Sequence, residues 1–296
     1  APAGSGLASS AITMDANEGP NAVQAERWNG EDGERWARHK APHDAMLALI
    51  TKQTLEAIGF TAGQRVLDLG CGSGTTTFGI ARLVGPSGSV TGVDISDILL
   101  APALAQAAAE PDLPVTFEKA DVETHAFAPE SFDVAFSRFG LMFFANPAAA
   151  FANVRSAMAP GGRLAFLCWR AVRENTWAST TIRIARNHIE LPPGPGPEDP
   201  GPYSFRDPAR IRRILTEGGW SDLSIEPIDS EAYMGAELEE SVANFLTMGP
   251  IANQVITASA AKREAIADDL RQAVAELVTE GGVNMQAAAW IVTAAA

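Results

Sequence analysis

The chain is poor in cysteine and in basic residues, and each shortage argues against a particular class of fold or partner. Only two cysteines, Cys71 and Cys168, occur in 296 residues, so a disulfide-stapled secreted fold is not indicated. Lys and Arg total 22 against 36 Asp and Glu, which gives a net charge of −14. Such a surface repels nucleic acid phosphates, and the largest basic run, residues 210–213, is typical of a solvated helix face. We therefore expect no nucleic-acid partner.

Long hydrophobic runs are also missing. No apolar stretch approaches the roughly 20 residues that a membrane-spanning helix needs, so we expect no stable membrane insertion. Residues 1–22 are small and polar and lack the basic start of a signal peptide, which predicts a disordered tail or a remnant of expression. Together these features favour a cytoplasmic protein.

A glycine-rich turn after a short apolar segment is the most informative stretch of the chain. Residues 66–69 (Val-Leu-Asp-Leu) predict a buried strand, residues 70–74 (Gly-Cys-Gly-Ser-Gly) a turn, and residues 75–83 a helix. Glycine lets backbone approach a ligand closely, and a helix that begins just past the turn offers free N–H groups. The stretch therefore predicts a nucleotide-type cradle at the carboxyl edge of a parallel sheet.

The rest of the chain continues a strand–helix rhythm with short connections. This rhythm predicts an α/β fold, a doubly wound Rossmann-like and mostly parallel seven-stranded sheet with helices on both faces, plus helical cap insertions. About fifty residues, from 236 to 286, separate the last two strands and have room for a lid. Further strands are predicted at residues 89–94, 114–121, 132–137, 163–169, 223–228 and 289–294.

Several motifs resemble those of one enzyme family. The Gly-x-Gly-x-Gly spacing, preceded by Asp68 within the strand, looks like the first motif of class I S-adenosylmethionine-dependent methyltransferases, whereas a dinucleotide fingerprint has Gly-x-Gly-x-x-Gly. The segments 93–96 (Val-Asp-Ile-Ser), 120–121 (Ala-Asp), 131–134 (Ser-Phe-Asp-Val) and 141–144 (Leu-Met-Phe-Phe) are similar to the ubiquinone/menaquinone-biosynthesis C-methyltransferase-like branch. The resemblance implies S-adenosyl-L-methionine as cofactor.

On this resemblance the chain divides into four parts. Residues 1–22 form the tail, and residues 23–62 form amino-terminal helices that cover the cofactor cleft. Residues 63–172 form the S-adenosylmethionine-binding core. Residues 173–296 supply the last strands with helical substrate-lid insertions.

Acidic residues at strand ends are the main cofactor candidates. A carboxylate at Asp94 can accept hydrogen bonds from both ribose hydroxyls, although such an acid is otherwise often a helix cap. The resemblance implies that Asp121 bonds the adenine amine; its alternative is a turn aspartate. Asp68 braces the turn or receives the methionine ammonium through water. The full cofactor-binding set is Asp68, Gly70, Cys71, Gly72, Gly74, Thr75, Asp94, Ile95, Asp121, Val122 and Ser137.

The sequence says less about the residues that bind the molecule to be methylated, the acceptor. Arg138 either holds an anionic substrate or forms a surface ion pair. Apolar residues after strand four line an acceptor pocket or pack in the core. His43 is the first candidate for a catalytic base because its helix precedes the sheet and can cover the cleft; the alternative is a structural histidine. The predicted substrate-binding set is Arg138, Phe139, Met142 and Trp169.

Motifs that are absent narrow the chemistry further. Residues 137–140 (Ser-Arg-Phe-Gly) lack the Asn/Asp-Pro-Pro-aromatic signature of amino methylation, and they lack the acidic cluster of metal-dependent relatives, so no metal is expected. The sequence thus predicts methyl transfer to O, N or C of a small hydrophobic or aromatic metabolite. The alternatives are a methyltransferase-like protein that binds the cofactor without turnover and an NAD-dependent dehydrogenase. A homodimer is compatible with the sequence.

Overall fold

The structure is a computed structural model, and it describes residues 19–296. Most of the predicted tail, residues 1–18, lies outside the described residues. Residues 19–21 form a turn that leads into the first helix. Asn21 is buried in this turn, so the end of the predicted tail packs against the body of the protein.

Within residues 19–64, three helices precede the sheet: α1 (Ala22–Trp28), α2 (Glu31–Arg38) and α3 (Lys40–Ile58). The break between α1 and α2 falls at Asn29-Gly30, where the sequence predicts a turn. Gly33 lies so close to the carbonyl group of Trp28 that a Cβ atom would collide with it. Glycine at this position therefore lets α2 fold back tightly against the end of α1.

In the described part of the chain, eight strands form one sheet: β1 (Arg65–Leu69), β2 (Ser89–Asp94), β3 (Val115–Lys119), β4 (Phe132–Arg138), β5 (Met158–Trp169), β6 (Ser221–Gly235), β7 (Val278–Thr279) and β8 (Gly282–Ala295). Seven of them follow the order β3-β2-β1-β4-β5-β8-β6, and the two-residue β7 pairs with β8. Strands β1 to β5 are parallel, and β8 runs antiparallel to its neighbours β5 and β6. The predicted mostly parallel α/β sheet is confirmed.

The remaining helices are α4 (Thr75–Val84), α5 (Asp97–Ala109), α6 (Pro147–Ser156), α7 (Thr176–Ala185), α8 (Pro208–Glu217), α9 (Leu238–Met248), α10 (Ala252–Thr257) and α11 (Ala260–Val274). Polar N-caps begin two of the crossover helices: the side chain of Ser96 accepts from the backbone of Leu99, and that of Asn146 accepts from the backbone of Ala149. Helices α9 to α11 follow β6 and precede β8, within the predicted insertion.

Two strands are much longer than the sequence pattern predicts. β6 was expected at residues 223–228 and β8 at 289–294, but they span Ser221–Gly235 and Gly282–Ala295. They pair with each other along almost their whole length, as far as Gly235 opposite Val283. This long-range pairing supplies the backbone hydrogen bonds of a polar segment around residues 229–231, which has no strand pattern of its own.

The topology places a crevice where the strand order reverses. β1 has β2 on one side and β4 on the other, and the connections leave in opposite directions. Ligands of open α/β sheets bind outside the carboxyl ends of the strands at such a switch point. β1 is almost fully buried, with Val66, Leu67 and Leu69 inaccessible to solvent, so the edge above it rests on a rigid base.

Candidate active site

The glycine turn between β1 and α4 forms the floor of the site. Gly70, Gly72 and Gly74 all have positive φ, at 64°, 53° and 78°. Gly70 also passes close to the backbone of Gly140 at the end of β4, and a Cβ atom there would come within 2.9 Å of the Gly140 Cα. The turn therefore requires glycine for both its conformation and its contact with the neighbouring strand.

Asp94 ends β2 beside this turn. Its carboxylate accepts hydrogen bonds from the backbone N–H groups of Gly72 at 2.8 Å and Ser96 at 2.9 Å. Burial raises the pKa of Asp94 to about 6, and the backbone donors partly offset that effect. The Ser96 side chain, not Asp94, caps α5, so the helix-cap alternative for Asp94 is not what the contacts show.

Asp68 braces the start of α4 from inside the sheet. Its Oδ2 accepts hydrogen bonds from the hydroxyls of Thr76 at 2.8 Å and Thr77 at 2.7 Å. Its carboxylate is fully buried, and burial raises its pKa to about 6. Asp68 therefore takes the bracing position and is not one of the residues that line the cavity.

Asp121 follows β3 and holds the chain segment that precedes α1. Its Oδ1 accepts from the Asn21 side-chain amide at 2.8 Å and from the backbone of Glu123 at 3.0 Å. Asn21 also accepts a hydrogen bond from the backbone of Ala145 at 2.8 Å. The other carboxylate oxygen, Oδ2, is buried and has no partner among residues 19–296. Sequence reasoning did not identify Asn21, because an asparagine in a polar segment carries no distinguishing pattern.

One cavity of about 1170 Å³ extends from the glycine turn to the insertions after β5. Its volume lies above the roughly 300–1,000 Å³ of usual ligand pockets, so it has room for two small molecules side by side. Most of the predicted site residues line it: His43, Gly70, Cys71, Gly72, Thr75, Asp94, Ile95, Asp121, Val122, Arg138, Phe139, Met142 and Trp169.

Three predicted cofactor residues do not line the cavity: Asp68, Gly74 and Ser137. Ser137 is fully buried, donates a hydrogen bond to the carbonyl of Leu69 at 2.7 Å, and accepts one from Gly140 N–H at 3.2 Å. It ties the ends of β1 and β4 together. The sequence placed these residues at the correct edge of the sheet, but Asp68 and Ser137 support the turn from outside the cavity, and Gly74 is a part of the turn that does not line it.

The far end of the cavity is aromatic. The rings of Phe139 and Trp169 stack with centroids 3.9 Å apart, and Trp169 lies 5.4 Å from Trp177. Phe139 has a φ of 63°, an uncommon conformation for a non-glycine residue that concentrates at functional sites. The insertions contribute further lining residues that sequence reasoning missed, since no local motif marks them: Trp177, Tyr203, Met248 and Ile251.

His43 faces this cavity from α3. Its Nδ1 lies 2.9 Å from the carbonyl oxygen of His39, which can only accept, so Nδ1 carries the hydrogen. That leaves the lone pair on Nε2, which is buried and has no partner among the described residues. The ring stacks on Trp36 with centroids 3.8 Å apart. Burial lowers the pKa of His43 to about 4, so the imidazole is neutral near pH 7.

Arg138 lines the cavity and is held by polar groups of α3. One guanidinium nitrogen donates to the hydroxyl of Thr51 at 2.9 Å, and another lies 4.0 Å from Asp44. Asp44 also pairs with Lys40 at 2.5 Å and accepts from the hydroxyl of Thr75 at 2.7 Å. Arg138 is thus part of an internal ion-pair network, which is closer to the ion-pair alternative than to a free anion-binding group.

Polar contacts tie the amino-terminal helices to both ends of the cavity. The Ser96 hydroxyl donates to the carbonyl of Trp28 at 2.6 Å, which fixes α1 beside the end of β2. On the other side, Asp32 of α2 accepts a hydrogen bond from the Asn253 side chain of α10 at 2.8 Å. The helices before the sheet therefore span the cleft between the glycine turn and the insertion.

Buried polar atoms without partners are concentrated in the cavity. Residues 19–296 contain eleven such side-chain atoms. Buried polar groups are nearly always hydrogen-bonded in native proteins, so a cluster of exceptions indicates a place where a ligand supplies the partners. Six of the eleven belong to residues that line the cavity: Gln24, His43, Ser73, Asp121, Tyr203 and Gln254.

Two features are absent from the described residues. No group of three His, Cys, Asp or Glu side chains within residues 19–296 is arranged to hold a metal ion. None of the helices in that range combines the length and the apolar character needed to cross a bilayer.

Fold and site together define an α/β protein with a nucleotide-type cofactor cradle that opens into an aromatic chamber. Residues 60–190 match the family model of a methyltransferase domain. This match confirms the family resemblance carried by the motifs.

Relatives with assigned activities support the same family. The chain is 35% identical over 119 residues to a ubiquinone/menaquinone biosynthesis C-methyltransferase of Bdellovibrio bacteriovorus, covering 40% of this chain and 50% of that protein. It is 34% identical over 104 residues to aklanonic acid methyltransferase of Streptomyces sp. strain C5, covering 35% and 47%. The chain thus spans about half the length of these relatives.

A solved structure confirms the fold. A putative methyltransferase from Bacillus halodurans aligns with a TM-score of 0.54 and 15% sequence identity. The alignment covers 83% of this chain and 97% of that one, so the likeness extends well beyond the glycine turn.

Proposed function

We propose that the chain is an S-adenosylmethionine-dependent methyltransferase that acts on a small hydrophobic or aromatic acceptor. The observation that carries the proposal is a single cavity that both the glycine-turn cradle and the stacked pair Phe139–Trp169 line. A cofactor seated at one end would present its reactive group to a molecule seated at the other. The methyltransferase domain at residues 60–190 supports the same reaction class.

The groups around the cradle fit S-adenosylmethionine. Asp94 lies at the end of β2, where a carboxylate can accept hydrogen bonds from ribose hydroxyls, and it lines the cavity. Asp121 has a buried oxygen with no partner among the described residues, which suits an exocyclic amine of adenine as donor. The positive-φ glycines would bring the backbone of the turn close to the amino-acid end of the cofactor.

When bound, S-adenosylmethionine supplies an electrophilic methyl group on a sulfonium, which is a good leaving group. The chain therefore has to align the acceptor, exclude water and manage a proton. The helices α1 and α2 and the insertion helix α10 close over the cleft through the Asp32–Asn253 contact and exclude water. The aromatic chamber orients a flat or apolar acceptor against the cradle.

His43 is the proposed catalytic residue. The His39 carbonyl fixes the tautomer with the lone pair on Nε2, and stacking on Trp36 fixes the plane of the ring. Nε2 accepts the hydrogen bond of an acceptor hydroxyl or amine and so orients its nucleophilic atom toward the methyl group. The low pKa keeps this lone pair available at all pH values near neutrality.

We infer that the partner is a small molecule, because the proposed reaction site lies inside a cavity lined by several layers of the fold. The division of the chain into four parts, the cytoplasmic location, the lack of a nucleic-acid partner and the compatibility with a homodimer stay predictions from the sequence. Gel filtration with light scattering tests the dimer directly.

Turnover tests the proposal. The purified chain is incubated with S-adenosylmethionine and a panel of phenols, quinols and aromatic acids, and released S-adenosylhomocysteine is measured by mass spectrometry. We expect acceptor-dependent product with at least one member, and its loss in the Asp94→Ala variant. Tight cofactor binding without product, across a panel that includes acceptors of related enzymes, would indicate a binding protein without turnover.

A further inference from the structure

Arginines without partners are unevenly distributed over the molecule. Among the 18 arginines, all of which lie within residues 19–296, five make neither an ion pair nor a side-chain hydrogen bond with another described residue. Two of the five, Arg38 and Arg155, lie away from the cavity. The other three line it: Arg173, Arg183 and Arg186. In a chain of net charge −14, unpaired cations on the wall of a cavity call for a specific explanation.

Arg183 and Arg186 occupy one face at the end of α7. They are three positions apart, so their side chains are neighbours on the helix surface. Ser179 and Ile182, one turn earlier, line the same cavity, which shows that this face of α7 is turned toward it. Both arginines are exposed, so they stand at the rim and not in the buried chamber.

Helix stabilisation is the simplest alternative explanation. Basic residues in the last turn of a helix are favourable because they complement the helix dipole. Helix stabilisation, however, explains neither why these arginines line a cavity nor why no carboxylate pairs with them. On α8, by comparison, Arg210 and Arg213 both pair with Glu198 within 3.2 Å. Nine of the 18 arginines have a carboxylate partner among the described residues, yet Arg183 and Arg186 have none.

We propose that Arg183 and Arg186 form a recognition subsite for an oxyanion, a carboxylate or a phosphate, carried by the acceptor. Arginine presents a planar fork of N–H donors that matches either group. This inference rests on the proposed function, since it assigns the substrate class of the same cavity. The apolar body of the acceptor then fills the chamber of Phe139, Trp169 and Trp177 while its anionic group stays at the rim.

The anionic group of the acceptor serves for binding, and a different atom of the acceptor is methylated. An oxygen held by arginine donates its electron density to the N–H groups and becomes a poorer nucleophile. The unpartnered Nε2 of His43 is buried, whereas the two arginines are exposed, so the anionic group and the reactive atom occupy different environments. An acceptor with an aromatic body and one anionic substituent matches this arrangement.

Equilibrium binding of matched probes tests the proposal. Calorimetry compares 2-naphthoate and 2-naphthyl phosphate with the neutral 2-naphthamide, with and without saturating S-adenosylhomocysteine. The variants are the double substitution Arg183→Gln/Arg186→Gln and the control Arg38→Gln/Arg155→Gln, which removes the two unpaired arginines outside the cavity. The two anions separate carboxylate from phosphate as the preferred anionic group.

We expect the wild-type chain and the control to bind at least one anion at least tenfold more tightly than the amide. The preference should weaken with added salt and fall below threefold in the double variant, with amide affinity unchanged. Equal binding of all three probes, no binding of either anion at millimolar concentration, or a preference that survives in the double variant overturns the subsite. The preference for anions is measured without turnover. A lack of S-adenosylhomocysteine binding would count against the proposed function, whereas the affinities of the three naphthyl probes would still test the arginine subsite.

Discussion

The two ends of the cavity are built in different ways. The cofactor end comes from one continuous part of the chain, residues 66–122, in which β1, β2 and β3 end side by side. The acceptor end is assembled from α3, the end of β4, α7, the loop around Tyr203 and α10, which are far apart in the sequence. One end is defined by local motifs, and the other exists only after the chain has folded.

The two ends of the cavity also differ in how far the protein itself supplies hydrogen-bond partners to their polar groups. At the cofactor end, backbone N–H groups already hold the carboxylate of Asp94. At the acceptor end, His43 Nε2 and the Tyr203 hydroxyl are buried with no partner among residues 19–296. Both ends therefore leave buried polar atoms for a ligand, Asp121 Oδ2 at the cofactor end among them, but the cofactor end also has a carboxylate that backbone donors already hold in place.

The largest effect is expected from the acceptor end. His43→Ala should lower kcat by about a hundredfold, because Nε2 would no longer orient the nucleophilic atom of the acceptor and a misplacement of about 1 Å can cost roughly 10²-fold. Affinity for S-adenosylhomocysteine should not change. His39→Gln is the matched control, since it keeps the backbone carbonyl that holds His43 and lies outside the cavity lining. Equal kcat values for His43→Ala and wild type would remove His43 from the mechanism.

At the cofactor end, Gly70→Ala should weaken cofactor affinity by roughly 30- to 100-fold. The positive φ costs a non-glycine residue about 1–3 kcal/mol, and the new Cβ would press on the Gly140 backbone at 2.9 Å. Gly59→Ala, in the left-handed region with a φ of 65° and with nothing within 4 Å of the new Cβ, isolates the conformational cost. Calorimetry and urea unfolding measure both. A cofactor affinity that is the same in both variants would deny that the Gly70–Gly140 contact shapes the cradle.

Asp94→Ala should reduce cofactor affinity at least tenfold. The substitution removes two proposed hydrogen bonds to ribose and the carboxylate that holds Gly72 N–H. Asp97→Ala serves as control because Asp97 is exposed and pairs with Lys119 away from the cavity. Unchanged affinity in a folded Asp94→Ala protein would place the ribose elsewhere.

The pH dependence of cofactor binding should be smaller, about tenfold between pH 7 and pH 5. Burial raises the pKa of Asp94 to about 6, and ribose binding needs the ionised form, so affinity falls as the pH drops through 6. In the unliganded chain the sign is opposite: between its ordinary pKa of 3.8 and 6 the folded state binds more protons, so this group lowers stability as the pH rises.

Two other groups bear on that titration. Burial also raises the pKa of Asp68 to about 6, whereas the pKa of His43 is about 4, below the range measured. Asp94→Ala separates the two carboxyls, since it should flatten the affinity profile if Asp94 is responsible. A profile that keeps its full slope in this variant would assign the effect to Asp68.

The contrast between the two ends of the cavity also explains which features of the fold and the site the sequence predicted. The glycine turn and the acids at the ends of β2 and β3 are recognisable because strand, turn and helix signals are local. Asn21, Trp177 and Tyr203 were not predicted, because their place in the cavity depends on contacts across the fold. The full length of the β6–β8 pairing was not predicted for the same reason, because each strand is stabilised by the other and not by a hydrophobic pattern of its own.

The most direct test of the central claim is calorimetric titration of the purified chain with S-adenosylmethionine and, separately, with NAD. We expect micromolar binding of S-adenosylmethionine at one site per chain and no heat with NAD. Binding of NAD alone would contradict the account and would assign the glycine turn to a dinucleotide.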